Sequence, residues 1–198
     1  MRLVAATKTV EIGAIRWLRE AGITDVGENY VQELRAKRGA LDGLVWHFIG
    51  TLQSHTAHLV AEHADVVQTL VPGKAAERLA RRAAARGASL PALIEVDFTA
   101  ERTGLAPEDV EAFADEVART EGVRLAGLMT LPPPTPSAEG ARPSFARLRE
   151  LRDRVALRHP QVVELSMGMS LDYEVAVEEG ATMVRIGTAL FGARPPLA

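Results

Sequence analysis

Lys8 closes the run Leu-Val-Ala-Ala-Thr-Lys-Thr at residues 3–9, and the residues before it give its amine a chemistry. An amine delivered by an apolar strand gives up hydration, which lowers its pKa and leaves more neutral nitrogen to attack a carbonyl. A lone strand-end lysine would more simply snorkel to solvent, so the imine reading depends on its companions. Two segments near the carboxyl end supply them: Ser166-Met-Gly-Met-Ser170 and Arg185-Ile-Gly-Thr-Ala-Leu-Phe-Gly192. Ser166, Gly187 and Thr188 offer a hydroxyl and backbone N–H groups of the kind that cradle an anion. The same residue pairs also make ordinary tight turns. His55, His58 and His63 fall at i, i+3 and i+8, which brings only His55 and His58 near each other, and no cysteine accompanies them. No metal site is therefore expected. Glu28, Glu95 and Asp97 could pair as hydrolytic carboxylates, but nothing in the sequence sets their separation.

These residues must be positioned by a chain of 198 residues, 47% hydrophobic and 5% aromatic, enough to bury a sizeable core in one domain spanning residues 1–198. A net charge of -3 argues against a nucleic-acid partner. The absence of cysteine removes disulfides, thiolate ligands and a cysteine nucleophile, and is compatible with a reducing interior. The apolar stretch before Lys8 is too short for a signal peptide or a membrane span, so a cytoplasmic protein with no membrane contact is expected.

Short apolar runs alternate along the chain with segments of helical period. Strands are predicted at Leu3–Thr7, Thr24–Gly27, Val45–Ile49, Val66–Leu70, Ala92–Val96, Leu125–Thr130, Val162–Ser166 and Met183–Ile186. Pro72 and Gly87 bracket one intervening helix, and Pro107 with Glu108 and Asp109 opens another. Strands alternating with helices in this way predict an α/β protein, a closed (β/α)₈ TIM barrel. Residues 131–143 carry five prolines and no hydrophobic period, and read as a loop, more simply a plain surface excursion than a lid over the barrel mouth, with the alternation resuming at Ser144. After the last strand and its turn only residues 191–198 remain, so the outer ring is expected to lack an eighth helix of ordinary length. With no helix before Lys8 to cover the gap, either the start is truncated or the barrel has one exposed flank that could serve as a contact surface.

In such barrels the carboxyl ends of the strands form the active face, and the loops after strands seven and eight hold phosphate. Both glycine-containing segments fall there. A carbonyl-trapping amine after strand one and a phosphate cradle after strands seven and eight describe a ligand with an aldehyde at one end and a phosphate at the other. Pyridoxal phosphate fits. Asn29 and His47 end strands two and three and so could line the pocket, and Met129 and Met167 could pack beside a ring.

Leu3–Thr9, Gly27-Glu-Asn29, His47-Phe-Ile-Gly50 with Leu52-Gln53, Gly127-Leu-Met-Thr130, Ser166–Ser170 with Asp172, and Val184–Gly192 resemble, in order and over nearly the whole chain, the pyridoxal phosphate homeostasis protein family. That family is itself similar to the barrel of alanine racemase standing alone. The resemblance implies that Lys8 carries pyridoxal phosphate as a Schiff base, that Ser166, Gly187 and Thr188 hold its phosphate, and that Arg185 faces the pyridine nitrogen. It further implies Asn29 as a cofactor contact and His47 as a ring-side candidate. An arginine can only donate, so the ring nitrogen would stay an unprotonated acceptor and the ring a poorer electron sink.

The chain departs from the family pattern in three places. His55 and Thr56 stand where an Asn-Lys pair is common, Arg102-Thr-Gly104 replaces a loop lysine before a glycine, and the N-terminal helix usual in the family is missing. Racemisation needs a base on each face of the substrate, and the second base of the racemases is a tyrosine from a further domain that Tyr30 and Tyr173 do not match by motif. The expectation is a monomeric carrier with no defined catalytic reaction. It would buffer pyridoxal phosphate and supply it to apo-enzymes, with a slow amino-acid racemase as the alternative.

Overall fold

A computed structural model describes residues 1–100 and 103–192; Arg102 lies outside the described residues. The chain runs β1 (Arg2–Ala6), α1 (Ile12–Glu20), β2 (Asp25–Glu28), α2 (Val31–Ala40), β3 (Val45–Phe48), α3 (Ala57–His63), β4 (Val66–Leu70) and α4 (Lys74–Ala84). It continues with β5 (Leu90–Val96), α5 (Val110–Ala118), β6 (Val123–Thr130), α6 (Arg142–Ala156), β7 (Glu164–Ser166), α7 (Tyr173–Glu178), β8 (Met183–Ile186) and α8 (Thr188–Phe191). Every strand pairs in parallel with its neighbours in sequence, and β8 closes on β1 with Val4 opposite Arg185 and Ala5 opposite Ile186. The expected (β/α)₈ barrel is present.

Successive strand residues point to opposite faces, and this divides the protein into two interiors. Val26, Trp46, Phe48, Val67 and Leu128 face outward and form, with helix residues such as Leu34, Leu79 and Phe145, the main core between sheet and helices. The barrel interior holds a smaller apolar cluster of Val4, Val66, Leu93, Ala126, Met129 and Met183. Above it the same inward rows carry polar side chains: His47 follows Val45, Gln68 follows Val66, and Arg185 follows Met183.

Several boundaries differ from the sequence reading for identifiable reasons. β5 starts at Leu90 although Pro91 lies within it, because a proline is tolerated near a strand's first residue, where its missing donor costs least. α6 starts at Arg142 rather than Ser144, with Pro143 in its first turn, where an absent N–H is no loss. Residues 138–141 just before it form a 3₁₀ turn rather than open loop. β1 ends at Ala6, so Lys8 stands two residues beyond the strand. α8 is a single turn.

Two glycines fix the approach of segments around the mouth. A Cβ at Gly50 would stand 1.9 Å from the Asn29 carbonyl oxygen, so the loop after β3 can lie on the end of β2 only without a side chain there. Gly168 has φ +93° and a Cβ on it would meet that of Ala176 at 2.5 Å; it both turns the chain after β7 and lets α7 pack close.

Candidate functional site: a cavity at the barrel mouth

A cavity of about 510 Å³ opens at the carboxyl end of the barrel. Its wall includes Ala6 and Lys8 after β1, Arg185, Gly187 and Thr188 from the end of β8, Met169–Asp172 after β7, and the proline-rich stretch 132–138 after β6. A 510 Å³ cleft is of ordinary size for a small-molecule site.

Lys8 is half-buried and sits in a loop held from outside the barrel. Lys37, buried on α2, donates to the Thr7 carbonyl at 2.7 Å, to Glu28 Oε1 at 2.8 Å and to Glu33 Oε2 at 2.6 Å. The Thr7 hydroxyl donates to the same Glu28 oxygen at 2.6 Å, and the Thr9 N–H donates to Glu33 Oε2 at 2.8 Å. The carbonyl before Lys8 and the amide after it are therefore both tied to one ionic cluster. Thr9 has φ +59°, a left-handed conformation that is strained for a β-branched residue, and its bond to Glu33 opposes relaxation. Burial pushes the Glu28 carboxyl up despite Lys37 and Thr7, and its Oε2 has no hydrogen-bond partner among the described residues. Burial also raises Glu33, but hydrogen bonds from Lys37 and the Thr9 amide overcome it and leave Glu33 below the usual range.

Arg185 reaches the cavity from the barrel interior. It is 5% exposed, and burial pulls its guanidinium down to about 10, against the charges of Glu95 and Asp172. It still carries its charge at neutral pH. Its Nη1 donates to Ser166 Oγ at 2.5 Å and its Nη2 to the Thr130 carbonyl at 2.8 Å. Ser166 in turn donates to Gln68 Oε1 at 2.6 Å. Gln68 Nε2 stands 2.9 Å from His47 Nδ1, and His47 Nε2 stands 2.9 Å from Asp25 Oδ1. The hydrogen bond from His47 is the chief reason the Asp25 carboxyl lies below its ordinary value.

The remaining wall is braced across segments. The Met169 N–H donates to Asp172 Oδ1 at 2.6 Å, and the Ala189 N–H donates to Ser170 Oγ at 3.1 Å, which joins the loop after β7 to α8. Arg142 donates to Glu139 beside the proline-rich loop and to Glu178 and Glu179 at the end of α7, latching that loop over the mouth.

Of the residues singled out from sequence, Lys8, Arg185, Gly187 and Thr188 meet at this cavity. The others stand off its wall. Ser166 is fully buried beneath Arg185, and His47 lies deeper still, between Gln68 and Asp25. Met129 belongs to the interior apolar cluster and Met167 to the outer core. Asn29 is half-buried at the end of β2 with its carbonyl against Gly50. The sequence reading passed over Gln68 and Lys37. The signal for Gln68 was available: a single amide in the middle of Val-Val-Gln-Thr-Leu. Ser170 and Asp172 figured in the resemblance but were not assigned to the wall. Among the described residues no cluster of metal-binding side chains forms, and no helix is long and apolar enough to cross a membrane.

Amine, buried guanidinium and turn amides around one mouth cavity define a (β/α)₈ barrel of the small-molecule-binding class. The sequence pattern of the alanine racemase N-terminal domain family matches residues 1–195. The chain is 44% identical over 199 residues to the pyridoxal phosphate homeostasis protein of Pseudomonas aeruginosa, covering 97% of this chain and 84% of that protein. It is 40% identical to the protein of the same name from Vibrio cholerae, covering 98% and 86%. Among solved structures, PipY of Synechococcus elongatus, determined with pyridoxal phosphate bound, superposes with a TM-score of 0.90 at 36% identity over 97% of this chain and 92% of that one. Alanine racemase of Clostridium difficile shares the fold alone, with a TM-score of 0.77 at 15% identity over 98% of this chain and 53% of that enzyme. The chain belongs to the pyridoxal phosphate homeostasis protein family, within the broader alanine racemase N-terminal domain family.

Proposed function

We propose that this protein binds pyridoxal 5'-phosphate through Lys8 and acts in its homeostasis, buffering the free cofactor and supplying it to apo-enzymes. The observation that carries the reading is the meeting of Lys8 and Arg185 on one cavity wall, in a chain 36% identical to a protein solved with that cofactor. Residues 1–198 act as one ligand-binding barrel, monomeric and cytoplasmic.

The residues present fit the group. A primary amine stands on one side of the cavity, the turn of Gly187 and Thr188 lies in the place where barrels hold phosphate, and a guanidinium lies between β1 and the loops after β6 and β7. When bound, pyridoxal phosphate supplies an aldehyde that an amine captures and a pyridine ring that can draw electrons. Lys8 Nζ is the attachment amine. Gly187 and Thr188 hold the phosphate. Arg185 would face the ring nitrogen and, able only to donate, would leave the ring a weak electron sink, which favours carriage over turnover. Ser166 contributes by holding Arg185. His47 supports the pocket through Gln68, Ser166 and Arg185; Asn29, Met129 and Met167 lie off its lining. Tyr30 and Tyr173 stand outside the cavity lining, and Tyr173 hydrogen-bonds Glu174, so the racemase alternative gains no second base from either.

The test is the visible spectrum of the protein incubated with pyridoxal phosphate and then freed of excess cofactor. A bound-cofactor band is expected in the wild type and its loss in Lys8→Ala. An unchanged band in the variant would overturn the attachment site. Lys8-dependent racemisation of single amino-acid enantiomers would overturn the carrier reading.

A further inference from the structure

We propose that Asp25, His47, Gln68 and Ser166 form a hydrogen-bond chain of fixed direction whose task is to position the Arg185 guanidinium at the cavity floor. This makes His47 and Gln68 positioning residues for the ligand, although neither reaches the cavity wall. The relevance to pyridoxal phosphate rests on the function proposed above; the direction of the chain does not.

The direction follows from the two ends. Asp25 is an ionised carboxylate and can only accept, so the His47 nitrogen 2.9 Å from it, Nε2, must carry a proton. In a neutral ring Nδ1 is then a lone pair and must receive a donor, which the amide nitrogen of Gln68 supplies at 2.9 Å. That choice leaves the Gln68 carbonyl oxygen facing Ser166, which must donate to it at 2.6 Å. The hydroxyl oxygen, its proton committed, is free to accept from Arg185 at 2.5 Å, and an arginine can do nothing but donate. Every link points from cation to anion. His47, Gln68 and Ser166 are all 0% exposed, so water cannot substitute for a missing partner, and an inverted link would leave a buried polar group unpaired. Thr24 Oγ1 donates to the other Asp25 oxygen at 3.0 Å, and Thr130 takes the second nitrogen of the guanidinium.

A reversal of one end should therefore travel to the other. In Asp25→Asn the new amide can donate to His47 Nε2 and favour the opposite tautomer, with the proton on Nδ1. Gln68 must then turn its oxygen toward His47 and its nitrogen toward Ser166. The serine oxygen would face two donors and its own proton would have no acceptor, which loosens Arg185. Adding Gln68→Glu restores acceptors on both sides of position 68 while the chain keeps one negative charge, now moved from 25 to 68. The double variant satisfies every link again with the opposite histidine tautomer.

The experiment combines side-chain nitrogen NMR of His47 in the ligand-free protein with pyridoxal phosphate affinity. The wild-type ring is expected to carry its proton on Nε2 at neutral pH, and Asp25→Asn to move it to Nδ1. Affinity should fall about tenfold or more in the single variant, the scale of one unsatisfied buried group, and return to within about twofold of wild type in the Asp25→Asn, Gln68→Glu protein. A wild-type ring protonated on Nδ1 overturns the chain without any variant having to fold. So does a double variant no better than the single, the result expected if these residues only fill space. Absence of cofactor binding in the wild type would strike the proposed function alone, and the tautomer of the ligand-free protein would then decide whether the chain stands.

Discussion

Lys8 and Arg185 share one cavity and are held by opposite means. Arg185 is carried on a strand in register with Val4, so the barrel ladder sets its backbone, and a chain of three uncharged side chains ending on the Asp25 carboxylate aims the side chain. Lys8 stands beyond its strand, next to a strained Thr9, and its loop is fixed by three ionisable groups reaching in from α2 and β2. The contrast shows what a rigid element contributes. A residue on a strand is located by the sheet, whereas a loop residue must be located by whatever can be packed against the loop.

The comparison breaks most sharply at Lys37. Lys37→Met removes the cation from Glu28, Glu33 and the Thr7 carbonyl together, and leaves a buried carboxylate without a counter-charge. Breaking a buried pair in this way costs about 3–5 kcal/mol. Denaturant unfolding should register that loss, and the variant that still folds should attach pyridoxal phosphate more weakly while its His47 tautomer stays as in wild type.

A smaller effect separates the Arg185 support from the phosphate turn. Thr188→Ala should weaken pyridoxal phosphate by about 1.5–3 kcal/mol and leave unphosphorylated pyridoxal nearly untouched. Ser166→Ala should weaken both ligands alike, because its hydroxyl acts through Arg185. Titrating each variant with the two ligands reads the ratio, and a selective loss of pyridoxal phosphate in Ser166→Ala would place that hydroxyl on the phosphate after all.

These residues also show how far the sequence could be read. Alternating apolar runs located the eight strands within about two residues, and the barrel rule then placed the turn of Gly187 and Thr188 at the mouth beside Lys8. What escaped was any role set by pairing between distant segments. Ser166 looked like part of an anion loop because it precedes a glycine; the barrel puts it instead under Arg185, 19 residues on. His47 looked like a pocket residue because it ends a strand, yet its partners come from β2 and β4. Lys37 reads locally as a solvated helix position, and only the return of the chain to Thr7, 30 residues away, buries it. Local pattern gave the elements; the register between them decided which polar side chains touch the site.

Acid should act differently on the two supports. Asp25 and Glu33 have folded-state values below their ordinary ones, so each adds stability that is present above the usual carboxylate range and is lost as pH falls through its folded value. Glu28 is raised by burial, and its sign is reversed: the folded protein takes up that proton more readily than the unfolded chain, so acidification relieves a cost. Removing this offset with Glu28→Gln should make stability fall sooner on the way from about pH 7 to about pH 4 than it does in wild type. Melting curves across that range check it, and identical pH profiles would mean that Glu28 titrates as it does in water.

The smallest effect belongs to the backbone itself. Thr9 is exposed, so its side chain is free to change, while its φ of +59° is a conformation that asparagine adopts with less strain than a β-branched residue. Thr9→Asn should therefore stabilise the protein by about 0.5–1 kcal/mol without disturbing the amide bond to Glu33. If the Lys8 loop is held mainly by the ionic clamp, ligand affinity should stay unchanged as the denaturation midpoint rises. If affinity falls along with the strain, then the tension at Thr9 is itself part of what aims the amine, and the loop and strand supports differ less in kind than their partners suggest.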